Sequence, residues 1–227
     1  MDKWELMRTR HSVRRYKNIP IEGEKLDALR KAVEEVNLEA GLHVQLFTEE
    51  PEAFDANAAH YGQFSGCRNY FAMVGPADAD EKIGYYGEKL VLLAQELGLN
   101  TCWVALTFRK NRVVVDAAAG EKLHVVIALG YGEDSGKPHK SKSAADVSNV
   151  TELAPQWFKD GVEAALLAPT AVNQQKFRIE YLGTKDGKVA KVSAKPLFSL
   201  MGYSKMDLGI VMYHFELGAG KENFDWA

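Results

Sequence analysis

The stretch Arg10-His11-Ser12-Val13-Arg14-Arg15-Tyr16, close to the start of the chain, is its most informative. Arg10, Ser12 and Arg14 alternate, so an extended or turning backbone points two guanidinium groups and a hydroxyl the same way. A phosphate dianion needs that donor set, because guanidinium forks match phosphate oxygens and charge-assisted hydrogen bonds exceed neutral ones. The same residues also read as a solvated basic turn, since exposed Arg clusters are common.

Three further stretches bear on the choice. Leu97-Gly98-Leu99-Asn100-Thr101-Cys102-Trp103 reads as a helix-to-strand turn. Leu129-Gly130-Tyr131-Gly132 ends an apolar run and leads through Gly136-Lys137-Pro138 to Lys140-Ser141-Lys142. This is no Walker-type loop: Gly130 and Gly136 stand one residue too far apart, and Pro138 occupies the place of the magnesium-binding Ser or Thr. It is also a poor dinucleotide fingerprint, because Pro138 and the polar run after it deny a phosphate its helix amino terminus. Alone, it is a polar loop after a core strand. Ala168-Pro169-Thr170-Ala171-Val172-Asn173-Gln174-Gln175-Lys176-Phe177 carries carboxamides. Asn173 can donate to a ring carbonyl and accept from a ring N–H, and Gln175 can do similar work. Helix-end capping after Pro169-Thr170 is the other reading of both.

Together the four stretches resemble the FMN-dependent nitroreductases. RHSVRRY is similar to that family's amino-terminal phosphate motif, and Ala168 to Phe177 is similar to its Ala-Pro-Ser/Thr-x-x-Asn-x-Gln-Pro-Trp element. Here the second follows the first at a great distance, an order that resembles a smaller, thermophile-type branch. The resemblance implies an α+β fold, a nitroreductase-like sandwich with a central mixed sheet surrounded by helices. It implies FMN as cofactor and an oxidoreductase that passes a hydride from NAD(P)H, either NADH or NADPH, through flavin N5 to an electron-poor acceptor, a nitroaromatic or a quinone. The cofactor contacts it implies are Arg10, His11, Ser12, Arg14, Leu106, Thr107, Lys140, Lys142, Asn173 and Gln175. Arg10 and Ser12 would hold the phosphate, with Lys140 and Lys142 closing on it from the opposite side. Arg14 would lie near N1 and O2 of the ring, where negative charge accumulates on reduction; an ion pair on the following helix is its alternative. The main-chain N–H groups of Val104 to Phe108 would face N5, with Leu106-Thr107 standing where the family often has Glu-Gly; Trp103 and Phe108 line the pocket or fill the core. No side chain need act as acid or base, in keeping with the lack of a catalytic triad or paired carboxylates. The resemblance further implies a homodimer with the flavin at its interface. A carrier or sensor that binds FMN without efficient turnover is the alternative function.

Composition narrows the classes independently. With 227 residues, 46% of them hydrophobic, the chain is read as a single domain over 1–227. A net charge of −3 argues against a nucleic-acid surface. No apolar run approaches the roughly 20 residues that span a bilayer, and MDKWELMRTRHS has no signal-peptide core, so a cytoplasmic protein without membrane partners is expected. Cys67 and Cys102 lack CxxC spacing and read as buried small hydrophobes. The six histidines show no metal-binding spacing.

The elements that must position these residues follow from periodicity. Helices are predicted over Glu24 to Val36, ended by Asn37 and Gly41, over Ile83 to Leu97, capped by Gly98, over Gln156 to Leu167, and from a capping Asp207 through Leu217. Strands are predicted over Leu42 to Phe47, Tyr70 to Val74, Thr101 to Leu106, Leu123 to Leu129, and Phe177 to Leu182 paired with Val189 to Ala194 through Asp186-Gly187. Ser135 to Ser148 is read as a loop rather than a boundary, and no internal repeats are evident.

Overall fold

The computed structural model describes residues 2–54, 64–184 and 189–227. Its helices are α1 (Lys3–Thr9), α2 (Gly23–Ala40), α3 (Asp80–Glu96), α4 (Ala144–Val147), α5 (Gln156–Ala165) and α6 (Ser204–Ala219). Its strands are β1 (Gln45–Phe47), β2 (Asn69–Pro76), β3 (Asn100–Val104), β4 (Glu121–Gly130), β5 (Phe177–Gly183), β6 (Ala190–Pro196) and β7 (Phe224–Trp226). This is the mixed α+β class expected. Two compact units share the chain: Thr9–Ala79 with Lys89–Pro138, and Met1–Arg8 with Asp80–Glu88 and His139–Ala227. One division falls at Pro138, inside the stretch that the sequence reads as a loop.

In the first unit an antiparallel sheet runs in the order β1-β2-β4-β3. Tyr70 to Val74 of β2 and Val125 to Leu129 of β4 are buried at every position, which is why both read as unbroken apolar runs. Tyr16, Phe54, Phe64, Tyr70, Cys102, Phe108 and Val126 belong to one hydrophobic cluster of this unit. Helix α2 outruns its predicted end at Val36 by a full turn and closes at Gly41, whose φ of 63° and N–H bond to Asn37 O form a left-handed cap. Asn37 does not end the helix. Its carboxamide instead accepts from Val44 N at 2.7 Å and donates to Val44 O at 2.9 Å, occupying the groups with which Val44 would join a ladder. Strand β1 therefore starts at Gln45 rather than Leu42.

The second unit is built on α6, which is buried nearly all round, as an apolar helix must be. It lies close against α5, where a Cβ on Gly161 would come within 2.6 Å of the Phe215 ring. Strands β5 and β6 pair antiparallel, with Ile179 opposite Ala194, and β7 joins β6 in parallel. The Asp-Gly turn predicted between β5 and β6 lies outside the described residues. Phe158, Phe215, Phe224 and Trp226 form an edge-to-face aromatic core. Asp207 is not the cap of α6. The helix begins at Ser204 after a left-handed Tyr203, and Asp207, one turn in, faces inward at 3% exposure.

Candidate cofactor site

In the first unit the motif segment is extended and pinned from three sides. Val13 N–H donates to Thr101 O, Tyr16 N–H to Ser65 O, and Lys17 N–H to Tyr131 O. Glycine is required where the 131–136 loop approaches: a Cβ on Gly136 would lie 2.7 Å from His11 Cβ and 2.9 Å from Ser12 O. His11 Nδ1 donates to Ser135 O at 3.1 Å, closing the same contact. Arg15 turns outward into an exposed ion pair with Asp134 at 2.6 Å; that pair raises the Arg15 pKa and lowers the Asp134 pKa. The loop after β4 thus braces the segment through Arg15 and leaves its neighbours on either side to other work.

Arg10, Ser12 and Arg14 all bear on Cys102 in β3, Ser12 through a hydrogen bond and the two arginines through their charge. Burial pushes the Cys102 thiol up, while Arg14, a hydrogen bond with Ser12 and Arg10 each pull it back. Arg10 is only 4% exposed, Ser12 half-buried and Arg14 exposed, so the charge is graded from interior to surface. Arg14 forms no ion pair among the described residues. Both cysteines are buried and unbridged, and burial holds Cys67 at about 12, so each behaves as a small hydrophobe. Beyond β3 the chain leaves the sheet at Val104, two residues before the predicted strand end, and presents Leu106 at 66% exposure and Thr107 half-buried.

In the second unit the structure brings together two groups that the sequence keeps apart. Gln175, 2% exposed, accepts from Lys142 N at 2.8 Å and donates to Lys140 O at 2.9 Å and to Asn173 Oδ1 at 2.7 Å. Asn173 donates to Lys140 O at 2.8 Å, and Lys142 Nζ donates to Gln174 O and Gln175 O at 3.1 and 2.8 Å. The carboxamides and the lysine pair form one element. Val172, Asn173 and Gln175 all have positive φ, between 46° and 54°, a conformation non-glycine residues hold only when their surroundings fix it.

Part of that fixing comes from Asp207, which the sequence offered only as a helix cap, and from Gln174. Asp207 accepts from Ala171 N at 2.9 Å and from Gln174 Nε2 at 2.6 Å; Gln174 also donates to Gly202 O and accepts from Ser199 Oγ. Burial pushes Asp207 up to about 6, and the two hydrogen bonds only partly offset it. The native state therefore holds this proton more tightly than the unfolded chain, where the ordinary value is 3.8. The associated stability is present below about pH 4 and is lost as pH rises toward 6, on the order of 3 kcal/mol at 1.36 kcal/mol per pKa unit. Asp207→Asn should flatten this step in urea unfolding measured at about pH 4 and about pH 7. A step of unchanged size in the variant would assign it to another carboxyl group.

Among the described residues no helix is long and apolar enough to cross a membrane, and no group of three or more His, Cys, Asp or Glu could hold a metal ion. Residues 2–219 match the family model described as "Putative TM nitroreductase". A crystal structure of a putative nitroreductase from Thermotoga maritima is 20% identical, with a TM-score of 0.63 over 98% of this chain and 85% of that one. A putative nitroreductase in complex with FMN from Desulfovibrio desulfuricans is 18% identical, with a TM-score of 0.51 over 67% of this chain and 97% of that one. A nitroreductase family protein from Clostridium difficile 630 is 20% identical, with a TM-score of 0.50 over 66% and 99%. No curated protein matches the sequence.

Proposed function

Since the chain belongs to the TM nitroreductase family, we propose that it is an FMN-dependent oxidoreductase that takes a hydride from NAD(P)H and delivers it to an electron-poor acceptor such as a nitroaromatic or a quinone. One observation carries the reading: the segment that holds Arg10, Ser12 and Arg14, read from the sequence as a phosphate-binding set, is extended and bridged to β3 through Ser12 and Thr101 and through Val13 N–H and Thr101 O, in a chain whose net charge is −3. The donors fit FMN. A buried guanidinium and a hydroxyl suit a phosphate, and a second, more exposed guanidinium suits the ring edge where negative charge develops. When bound, FMN supplies two-electron hydride chemistry at N5.

The protein's own residues then bind, orient and exclude. Arg10 and Ser12 hold the phosphate and Arg14 the electron-rich edge. The open segment after β3 offers main-chain N–H groups at Leu106 and Thr107, and the exposed Leu106 side chain gives an apolar wall that a planar acceptor can contact.

The test is spectral. Purified protein should be yellow or take up FMN, with quenching of flavin fluorescence, and anaerobic NADH or NADPH should bleach it. A colourless protein that takes up no FMN would overturn the reading. A yellow protein that neither nucleotide bleaches would leave a flavin carrier instead.

A further inference from the structure

Next to the Leu106-Thr107 segment lies an open groove of about 580 Å³, lined by Leu106, Phe108, Arg109, Lys110, Asn111 and Arg112. We infer that this groove binds the 2′-phosphate of NADPH, so that the donor of the reaction proposed above is NADPH in preference to NADH. The inference rests on that reading for its nicotinamide and on the groove alone for its phosphate.

The volume falls in the usual range for small-molecule sites. Its lining is graded. Leu106 and Phe108 make one end apolar, and within the next four residues the wall carries two guanidinium groups and an ammonium. A reduced dinucleotide phosphate has the same polarity, with an uncharged ring at one end and a phosphomonoester dianion near the other. In a protein of net charge −3, the three cations Arg109, Lys110 and Arg112 outweigh the one Glu52 carboxylate paired with Arg112, and that local surplus attracts such a dianion. A terminal monoester suits an exposed wall, since Lys110 and Arg112 reach it from the surface without opening the core.

The wall is fixed rather than loose. Arg109 N–H donates to Ala53 O at 2.9 Å, and Arg112 N–H to Arg109 O at 2.9 Å, closing a 3-10 turn. Glu52 holds Arg112 Nη1 at 3.0 Å, which orients the fork and leaves its other face for an oxygen. Asn111 adds a carboxamide for a ribose hydroxyl or an adenine edge.

Calorimetric titration of the full chain with 2′,5′-ADP, 5′-AMP and 5′-ADP tests the site without depending on flavin. The expected result is that 2′,5′-ADP binds at least tenfold more tightly than 5′-AMP and 5′-ADP, and that added salt weakens it. Lys110→Gln and Arg112→Gln should each raise its dissociation constant roughly tenfold, the scale of one charge-assisted bond. Both should lower the ratio of kcat/KM for NADPH to that for NADH while leaving NADH turnover unchanged. Equal binding of 2′,5′-ADP and 5′-AMP would overturn the inference, as would 5′-ADP binding equally well, since the groove would then read the diphosphate common to both donors. If 2′,5′-ADP is preferred but FMN is not taken up, the proposed activity fails and the phosphate site stands. If FMN binds and both donors bleach it equally, the activity stands and the site fails.

Discussion

Gly209→Ala is expected to destabilise the protein by about 3 kcal/mol or more, the upper end of what overpacking usually costs. A Cβ at Gly209 would sit 1.9 Å from Glu81 O and 2.7 Å from Tyr85 N, and one on Gly84 would sit 1.9 Å from Met206 O. Helices α3 and α6 thus touch backbone to backbone, and no rotamer change can clear the space. In a solvent-exposed helix the same substitution would gain up to about 1 kcal/mol from helix propensity, so the sign of the effect measures the contact itself. The displaced part of α6 includes Asp207, two residues away, so the hydrogen bonds to Ala171 and Gln174 should loosen with it. The expected readouts are a melting temperature lower by roughly 6–12 °C, at about 2–4 °C per kcal/mol for a chain of this size, and faster amide exchange at Ala171. A melting temperature equal to that of the unaltered protein would mean that the two helices separate at little cost.

That crossing also marks what sequence reading reaches and what it misses. Helix α3 carries Ile83 and Leu90 at helical spacing among charges, and Tyr70 to Val74 of β2 and Val125 to Leu129 of β4 are apolar without a break; such local patterns announce their elements. Gly84 and Gly209 announce nothing, because their partners lie more than a hundred residues away in sequence. Asn37 shows the same limit at short range. Its type suggests a helix end, yet its carboxamide captures Val44, and only the folded turn reveals that a side chain can lengthen α2 and shorten β1 together.

The candidate site divides along the same line. The alternation of Arg10, Ser12 and Arg14 is legible because alternation along one extended segment is itself a geometry, and the structure keeps that segment extended beside β3, with Ser12 bridged to Thr101. The union of Lys140 and Lys142 with Asn173 and Gln175 is not, since more than thirty residues separate them and their contacts run through main-chain atoms that no residue type encodes. Asp207 read as a helix cap for the same reason: its type fits a cap, whereas its partners Ala171 and Gln174 are set by tertiary structure.

Arg10→Gln should weaken FMN binding roughly 10- to 100-fold, the 1.5–3 kcal/mol of a hydrogen bond to a charged group, while leaving riboflavin binding nearly unchanged. The asymmetry follows from burial. At 4% exposure the Arg10 guanidinium is largely removed from water, so its attraction for a phosphate is little screened. Arg14 is exposed and its charge is screened by solvent, so Arg14→Gln should cost FMN less affinity than Arg10→Gln does. Arg10→Lys separates charge from shape, since an ammonium keeps the charge but loses the bidentate fork, and should fall between the unaltered protein and Arg10→Gln. Because Arg10→Gln also leaves a neutral polar group in a buried place, its thermal stability must be followed in parallel, and the ratio of FMN to riboflavin affinity is the quantity that isolates the phosphate. Flavin fluorescence quenching gives both constants on one sample. If the unaltered protein binds riboflavin as tightly as FMN, or if the ratio is the same in Arg10→Gln, the phosphate lies elsewhere and Arg10 serves only to hold the segment against β3.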